Sequence, residues 1–217
     1  MLKAALIVAG GKGKRMNASI PKQFLLLNNL PVVMHILKKF SHFEKTILVL
    51  PQSQFNDWKE LCNTHNFTQK HTLVSGGETR FHSVRNGLDK ISKNTIIAIH
   101  DGVRPLVSKT LIDSLITETK NGMGVIPVIP IKDSIRKIKG RNSSSIDRGN
   151  LCKVQTPQCF LSVDIQKAYT QEFSEIFTDD ASVFESNGGE IKTILGEEKN
   201  LKITTEEDLL IAELFHQ

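Results

Sequence analysis

The chain has 217 residues, of which 39% are hydrophobic, and a formal net charge of +5 at pH 7; this length predicts a single domain with a full apolar core over residues 1–217. Aromatic residues make up only 6%, which disfavours the basic, aromatic-rich surface typical of nucleic-acid binders. Three cysteines without Cys-x-x-Cys spacing argue against a disulfide framework and a structural zinc site. Because no apolar run approaches the ~20 residues of a membrane span, we expect a cytoplasmic protein with no membrane partner.

Apolar, strand-like runs alternate with helical patterns over the first 130 residues. The strand-like runs are 4–9, 46–50, 71–75, 95–100 and 123–129, and the helical patterns are 31–40, 52–65, 80–91 and 108–120. This alternation predicts an α/β fold with a mostly parallel sheet and helices on both faces. Because such sheets bind ligands beyond the carboxyl ends of their strands, we expect residues at those ends to form the site.

Residues 132–155 interrupt the rhythm. An alternating stretch is followed by polar turn residues over 140–145 and by a second short strand that leads to Gln155. A two-stranded ribbon is not stable alone, so we expect a projecting β-arm that packs on a second subunit; a mobile surface hairpin is the alternative. Beyond it, a helix from Asp179, a strand near 190–195 and a final helix from 205 return to the core.

The first strand runs into a basic, glycine-rich loop. Residues 10–16 read Gly-Gly-Lys-Gly-Lys-Arg-Met, and residues 1–43 contain seven Lys or Arg and no Asp or Glu. Glycines let backbone N–H groups approach an anion closely, and the cations neutralise it, so the pattern favours a polyphosphate site. A P-loop is excluded because Arg15 follows Lys14, and a dinucleotide fingerprint because Met16 stands at the third glycine position. A plain tight turn and a solvated basic face are the alternatives.

Two further strand ends carry candidate site residues. Asp101 follows the run 95–100 and is suited to hold Mg²⁺ together with phosphate oxygens; a turn or capping Asp is the alternative. The turn at Gly76 and Gly77 leads toward Ser83, whose hydroxyl and nearby amides can bind a nucleobase edge, although a helix start capped by Thr79 explains it equally well.

The chain has no convincing nucleophile–base pair. A phosphomonoester needs none, because its second pKa is ~6 and it arrives ionised. Its attack on the α-phosphate of a nucleoside triphosphate would require Lys, Arg and Mg²⁺ to align and neutralise the anions.

A set of ordered motifs carries a family resemblance that covers nearly the whole chain. The motifs are Ala9-Gly-Gly-x-Gly-x-Arg-Met16, Pro21-Lys22-Gln23, Gly76-Gly77-x-x-Arg80, His100-Asp101-x-Val-Arg104-Pro105, Asp133-Ser134-Ile135, Thr156-Pro157-Gln158, Thr178-Asp179-Asp180-Ala181 and Asn200-Leu-Lys202-Ile-Thr204. Their order resembles that of the 2-C-methyl-D-erythritol 4-phosphate cytidylyltransferases of the non-mevalonate isoprenoid pathway. The resemblance implies a Rossmann-like nucleotidyltransferase fold, a homodimer formed through the β-arm at 132–155, CTP as co-substrate, Mg²⁺ as divalent cation and a polyol phosphate as acceptor.

The resemblance also implies roles for individual residues. Those that would bind the nucleotide are Ala9, Gly10, Gly11, Gly13, Gly77, Ser83 and Asp101, the last also as the metal ligand. Those that would act in catalysis are Arg15 and Lys22, which stabilise charge on the phosphates, and Arg148 and Lys202, which position the acceptor. Those that would bind the acceptor are Asp101, Arg104, Ser134, Arg148, Thr156, Thr178 and Lys202.

The chain departs from the family pattern at three positions. Gly102 stands where the family usually has Ala, which is expected to loosen the backbone beside Asp101. Ser134 replaces a usual Thr and keeps the hydroxyl, and Glu78 stands where Asp is common. Two other functions remain open: a ribitol-5-phosphate cytidylyltransferase, and a non-catalytic nucleotide sensor, against which Arg15, Lys22 and Asp101 argue.

Overall fold

A computed structural model describes residues 1–10 and 20–216. Within them, the strands are β1 (Leu2–Val8), β2 (Leu26–Leu27), β3 (Leu30–Pro31), β4 (Lys45–Leu50), β5 (Thr72–Ser75), β6 (Thr95–Asp101), β7 (Met123–Pro130), β8 (Ile135–Lys139), β9 (Asn142–Ile146), β10 (Cys152–Val154), β11 (Gln158–Leu161) and β12 (Glu190–Leu195). The helices are α1 (Val32–Lys39), α2 (Phe55–Thr64), α3 (Arg80–Leu88), α4 (Lys109–Glu118), α5 (Ser162–Ala168), α6 (Asp180–Ser186) and α7 (Glu206–Phe215), with 3₁₀ turns at Lys22–Phe24 and Gln52–Gln54.

One large sheet forms the centre of the molecule. Its strands lie in the order β10-β7-β11-β6-β1-β4-β5, and β12 pairs with β7. β1 is parallel to both β4 and β6, β4 is parallel to β5, and β12 is parallel to β7. Only β10 and β11 run antiparallel to their neighbours within this described sheet. The predicted mostly parallel α/β sheet is therefore confirmed.

Helices cover both faces of this sheet, as predicted. On β1, Ala5 and Ile7 pack with residues of α1, α2, α4 and α7, whereas Ala4, Leu6 and Val8 pack with residues of α3, α5 and α6. The five β1 side chains from Ala4 to Val8 are all buried. A strand buried on both faces needs apolar residues at every position, which explains why β1 reads as a continuous apolar run.

Residues 132–155 form two separate pieces. β8 and β9 pair antiparallel in a sheet of their own, from Ile135 opposite Ile146 to Lys139 opposite Asn142, and most of their side chains are exposed. The second predicted strand divides, because β10 leaves this ribbon and joins β7 in the main sheet. The exposed ribbon agrees with a projecting arm, and its role in dimer formation stays a prediction.

Candidate functional site

An open cavity of about 870 Å³ lies at the carboxyl ends of β1, β5 and β6. Gly10 after β1, Gly77 after β5 and Asp101 at the end of β6 all line it, as does Lys202 from the C-terminal part of the chain. The convergence of these strand ends, predicted from the sequence, is confirmed. This volume suits a nucleotide-sized ligand, since small-molecule sites span roughly 300–1,000 Å³.

The turn after β5 is built around the buried hydroxyl of Ser83. Its Oγ donates to the carbonyl of Thr79 (2.9 Å) and accepts from the N–H of Gly77 (3.1 Å). A Cβ added at Gly10 would lie 3.0 Å from that oxygen, and one at Gly77 would lie 2.4 Å from Cβ of His82. Thr79 is also the N-cap of α3. The cap of α3 and the glycine-lined cavity wall are therefore one structure. A helix start capped by Thr79 and a wall of a ligand site are compatible interpretations of this segment.

Three cations surround the carboxylate of Asp101. Arg104 Nε lies 3.2 Å and Lys202 Nζ 3.1 Å from Oδ2, and Arg80 Nε lies 3.7 Å from Oδ1. Burial opposes ionisation, but Arg80, Lys202 and Arg104 outweigh it and hold the pKa of Asp101 well below its usual range. Asp180, which pairs with Arg80, and Asp101 together offset two of these three cations, so a local excess of positive charge remains and favours an anionic ligand.

The backbone of Asp101 is fixed from behind by Thr156 and His100. The hydroxyl of Thr156 accepts from the N–H of Asp101 (3.0 Å) and lies 3.0 Å from Nδ1 of His100. Nε2 of His100 faces the carbonyl of Arg104 (3.0 Å). A carbonyl only accepts, so Nε2 carries the proton and Nδ1 accepts from Thr156. Burial lowers the pKa of His100 to about 4, so this ring is neutral at pH 7.

The C-terminal segment that carries Asn200 and Lys202 is anchored beside the Asp101 carboxylate. Nη1 of Arg104 donates to the carbonyl of Asn200 (2.9 Å), and Nδ2 of Asn200 donates to the carbonyl of Thr156 (2.9 Å). Nζ of Lys22, which lines the cavity, donates to the carbonyl of Thr204 (3.2 Å). Lys22 and Lys202 therefore reach one cavity from two distant parts of the chain.

Gly102 and Gln23 have structural roles that their sequence context did not indicate. Gly102 donates its N–H to the carbonyl of Val8 (2.8 Å), and a Cβ there would lie 2.5 Å from Cβ of Ala9. The glycine thus permits a close approach of β1 and β6 at this point, and the expected loosening of the backbone beside Asp101 stays a prediction. Ala9 itself is held by Gln23, whose Nε2 donates to its carbonyl (3.0 Å).

Several predicted site residues lie elsewhere. Thr156 and Arg104 are behind Asp101 and do not line the cavity. Ser134 and Arg148 are exposed in the arm region, where Arg148 donates to the carbonyl of Lys132. Thr178 is exposed just before α6. The remaining predicted residues, Gly11, Gly13 and Arg15, fall outside the described residues.

Sequence reasoning gave no role to Arg80 and Asp180. The Arg80 guanidinium donates two hydrogen bonds to the Asp180 carboxylate, at 2.9 and 2.6 Å, and Arg80 also lines the cavity. Both residues stand in motifs of the family resemblance, but their spacing gives no sign that they pair across 100 residues.

The described residues alone do not form a metal centre. In residues 1–10 and 20–216, no three His, Cys, Asp or Glu side chains are grouped so that they could hold a metal ion. Asp101 can therefore supply only part of a coordination shell, and Mg²⁺ commonly takes the rest from substrate phosphates and water. The same part of the chain has no helix with the length and apolar character needed to cross a membrane.

Comparisons with known proteins identify the family. A sequence model of 2-C-methyl-D-erythritol 4-phosphate cytidylyltransferase matches residues 3–217. Proteins of that name from Azobacteroides pseudotrichonymphae and Bacteroides fragilis are 48% and 45% identical to this chain, with 97% and 98% of each chain covered. The crystal structure of the Thermus thermophilus protein of that name superposes with a TM-score of 0.83 at 25% identity, over 100% of both chains. The chain therefore belongs to the 2-C-methyl-D-erythritol 4-phosphate cytidylyltransferase family.

Proposed function

We propose that this chain transfers the cytidylyl group of CTP to 2-C-methyl-D-erythritol 4-phosphate, giving 4-diphosphocytidyl-2-C-methylerythritol and pyrophosphate. The observation that carries the proposal is the cavity lined by Arg80, Lys202 and the ionised Asp101, which Arg104 contacts from behind, in a chain matched to this family from residue 3 to 217. Neither a ribitol phosphate acceptor nor a silent sensor is favoured by the comparisons.

The reaction joins two anions. An oxygen of the acceptor phosphate attacks the α-phosphorus of CTP; the new P–O bond forms as the bond from that phosphorus to the oxygen bridging to the β-phosphate breaks, and pyrophosphate leaves with the electron pair. No general base is needed, because the acceptor phosphate is already ionised near neutral pH. The protein must bring the anions together and stabilise the charge that builds up on the phosphates.

The residues on the nucleotide side divide this work. Lys22, which lines the cavity, would stabilise charge on the α-phosphate and on the departing pyrophosphate, together with Arg15. The loop with Ala9, Gly10, Gly11 and Gly13 would hold the triphosphate. Gly77 would present its backbone to cytosine, and Ser83, whose hydroxyl fixes the Gly77 turn, would shape that part of the site.

The residues on the acceptor side surround Asp101. Lys202 and Arg104 both contact its carboxylate, and Lys202 is half exposed toward the cavity, so it is placed to meet an acceptor phosphate. Thr156 would act through Asp101, because it is buried, donates its hydroxyl proton to His100 and accepts from the N–H of Asp101. Thr178, Ser134 and Arg148 complete the proposed acceptor set.

Mg²⁺ would bind here as an ion shared with the CTP phosphates, because three cations already surround Asp101 and the phosphates must supply most of the negative charge. Asp101 is ionised and lines the cavity, so it would hold the ion together with CTP phosphate oxygens. When bound, Mg²⁺ neutralises phosphate charge and orients the α-phosphate.

A homodimer would bring the remaining proposed acceptor residues to the site. Ser134 and Arg148 are exposed and do not line the cavity of their own chain, so their proposed role in acceptor binding would be met in a site shared with a second subunit. The ribbon of β8 and β9 also exposes Ile138, which is 68% accessible and is suited to an interface. We therefore propose residues 132–155 as a dimer arm within a single domain. The free thiols of Cys62, Cys152 and Cys159 support a reducing, cytoplasmic location.

Pyrophosphate release by the purified protein with CTP and Mg²⁺ tests the function. The assay compares 2-C-methyl-D-erythritol 4-phosphate, ribitol 5-phosphate and no acceptor. Release with the first acceptor alone is expected. Equal or faster release with ribitol 5-phosphate would overturn the acceptor, and no release with either would overturn the transfer reaction.

A further inference from the structure

An ion pair between the partly exposed Arg80 and the buried Asp180 connects the cavity wall to the segment that carries Thr178. Arg80 is the first residue of α3, directly after the glycine turn, and its guanidinium binds both carboxylate oxygens of Asp180 (2.9 and 2.6 Å). Asp180 is the first residue of α6 and is completely buried. Its Oδ1 also accepts from the hydroxyl of Tyr169 (2.6 Å). Burial and the Asp180 charge raise the pKa of Tyr169, so this phenol remains a donor.

The start of α6 is held from a second side by Gln158. Its Nε2 donates to Oδ2 of Asp179 (2.8 Å), and its Oε1 accepts from the N–H of Ala181 (2.9 Å). Gln158 is fully buried and lies on β11, two residues beyond Thr156. The segment with Thr178 is thus held in place from two sides. Gln158 ties it to β11, the strand behind Asp101, and Arg80 ties it to the turn at Gly76 and Gly77, here called the nucleotide turn.

The geometry also links this pair to Asp101. Nε of Arg80 lies 3.7 Å from Oδ1 of Asp101, while its terminal nitrogens are committed to Asp180. One planar guanidinium therefore spans two carboxylates, a geometry that a lysine ammonium cannot reproduce. Asp180 itself does not line the cavity, so any effect it has on the reaction must pass through Arg80 or through the start of α6.

We propose that Arg80 and Asp180 act as one positioning unit that fixes the acceptor-side segment at Thr178 relative to the nucleotide turn and Asp101. The inference rests on the proposed cytidylyl transfer and on Thr178 as an acceptor residue. Disturbing the unit should impair use of the acceptor while CTP, whose proposed contacts are the glycine turns, is bound nearly as before. A pair that merely stabilises the fold would instead lower the unfolding temperature and leave both KM values unchanged.

A double-mutant cycle tests the proposal. The variants are Arg80→Lys, Asp180→Asn and the double variant, assayed by pyrophosphate release well below their unfolding temperatures. Each single change should raise KM for 2-C-methyl-D-erythritol 4-phosphate by about tenfold, the scale of a displacement below 1 Å, and should change KM for CTP by less than about twofold. Because the residues act as a unit, the double variant should resemble the single ones rather than multiply them.

The exposed ion pair of Lys192 and Glu118 (2.6 Å) provides the control. Lys192→Gln and Glu118→Gln should leave both KM values at the wild-type level. Unchanged acceptor KM in Arg80→Lys, multiplicative effects in the double variant, or a rise confined to KM for CTP would each overturn the proposal. Arg80 is 30% exposed, so Arg80→Lys decides the question even where the buried Asp180→Asn change prevents folding. Wild-type activity in the same assay separates failure of this inference from failure of the proposed function.

Discussion

Replacing Lys202 by Gln should lower the activity strongly while it lowers the free energy of unfolding only slightly. Nζ of Lys202 lies 3.1 Å from Oδ2 of Asp101, and the side chain is 45% exposed. Half-exposed ion pairs contribute about 1 kcal/mol or less to the free energy of unfolding. Arg80 and Arg104 also remain beside the carboxylate, so Asp101 is not left as an unpaired buried charge. We therefore expect a small stability loss, within about 1 kcal/mol.

The activity loss should be far larger. In the proposed reaction Lys202 holds the acceptor phosphate against a second anion. Removal of one donor that stabilises developing charge typically lowers turnover on the order of 10²–10³-fold. That loss corresponds to about 3–4 kcal/mol, several times the expected change in stability.

The assay combines pyrophosphate release with denaturant unfolding of the same preparations. Lys192→Gln is the matched control, because Lys192 makes a 2.6 Å ion pair with Glu118 at 44% exposure, almost the exposure of Lys202. The control should retain full activity. A Lys202→Gln variant that keeps its turnover, or a control that loses as much, would refute the role assigned to Lys202.

Three further predictions concern other parts of the structure. Lys22→Ala should lower kcat far more than it weakens CTP binding, measured by calorimetry, because its contribution is greatest in the transition state; equal losses would contradict this. His100 stays neutral in the fold down to about pH 4, whereas the unfolded residue takes up a proton near 6.5, so acidification across that window should cost about 3 kcal/mol of unfolding free energy. Urea unfolding should show a shallower pH slope in His100→Gln, and an unchanged slope would contradict the assignment. Deleting residues 140–145 should shift the particle mass measured by light scattering from that of a dimer toward that of a monomer and should lower activity. An unchanged oligomer with full activity would exclude a dimer role for the arm.

Most of the fold could be predicted because its strands are buried on both faces. β1, β4 and β6 read as continuous apolar runs, and each is followed by a helical pattern, so their boundaries were predicted within about two residues. β2 and β3 were missed because each has two residues; their turn places Asn28 and Asn29 at positive φ, as in the type I′ turns that favour two-residue hairpins. β11 was missed because four residues give too short a pattern to distinguish a strand from a loop.

The candidate site was predictable where position in the fold determines function. Asp101 and the glycine turns lie at strand ends, and parallel strands bring such ends together. Contacts across the chain could not be predicted this way. The pairing of Arg80 with Asp180 spans 100 residues, and the inward orientation of Thr156 depends on the buried ring of His100. Both depend on side-chain packing that has no periodic signature in the sequence.

Labelled CTP provides the most direct test of cytidylyl transfer. Purified protein is incubated with Mg²⁺, 2-C-methyl-D-erythritol 4-phosphate and CTP labelled at either the α- or the γ-phosphorus. Attack at the α-phosphorus predicts that the α label appears in the acceptor product and the γ label in pyrophosphate. Transfer of the γ label to the acceptor, or CTP hydrolysis that leaves the acceptor unlabelled, would contradict the proposed reaction.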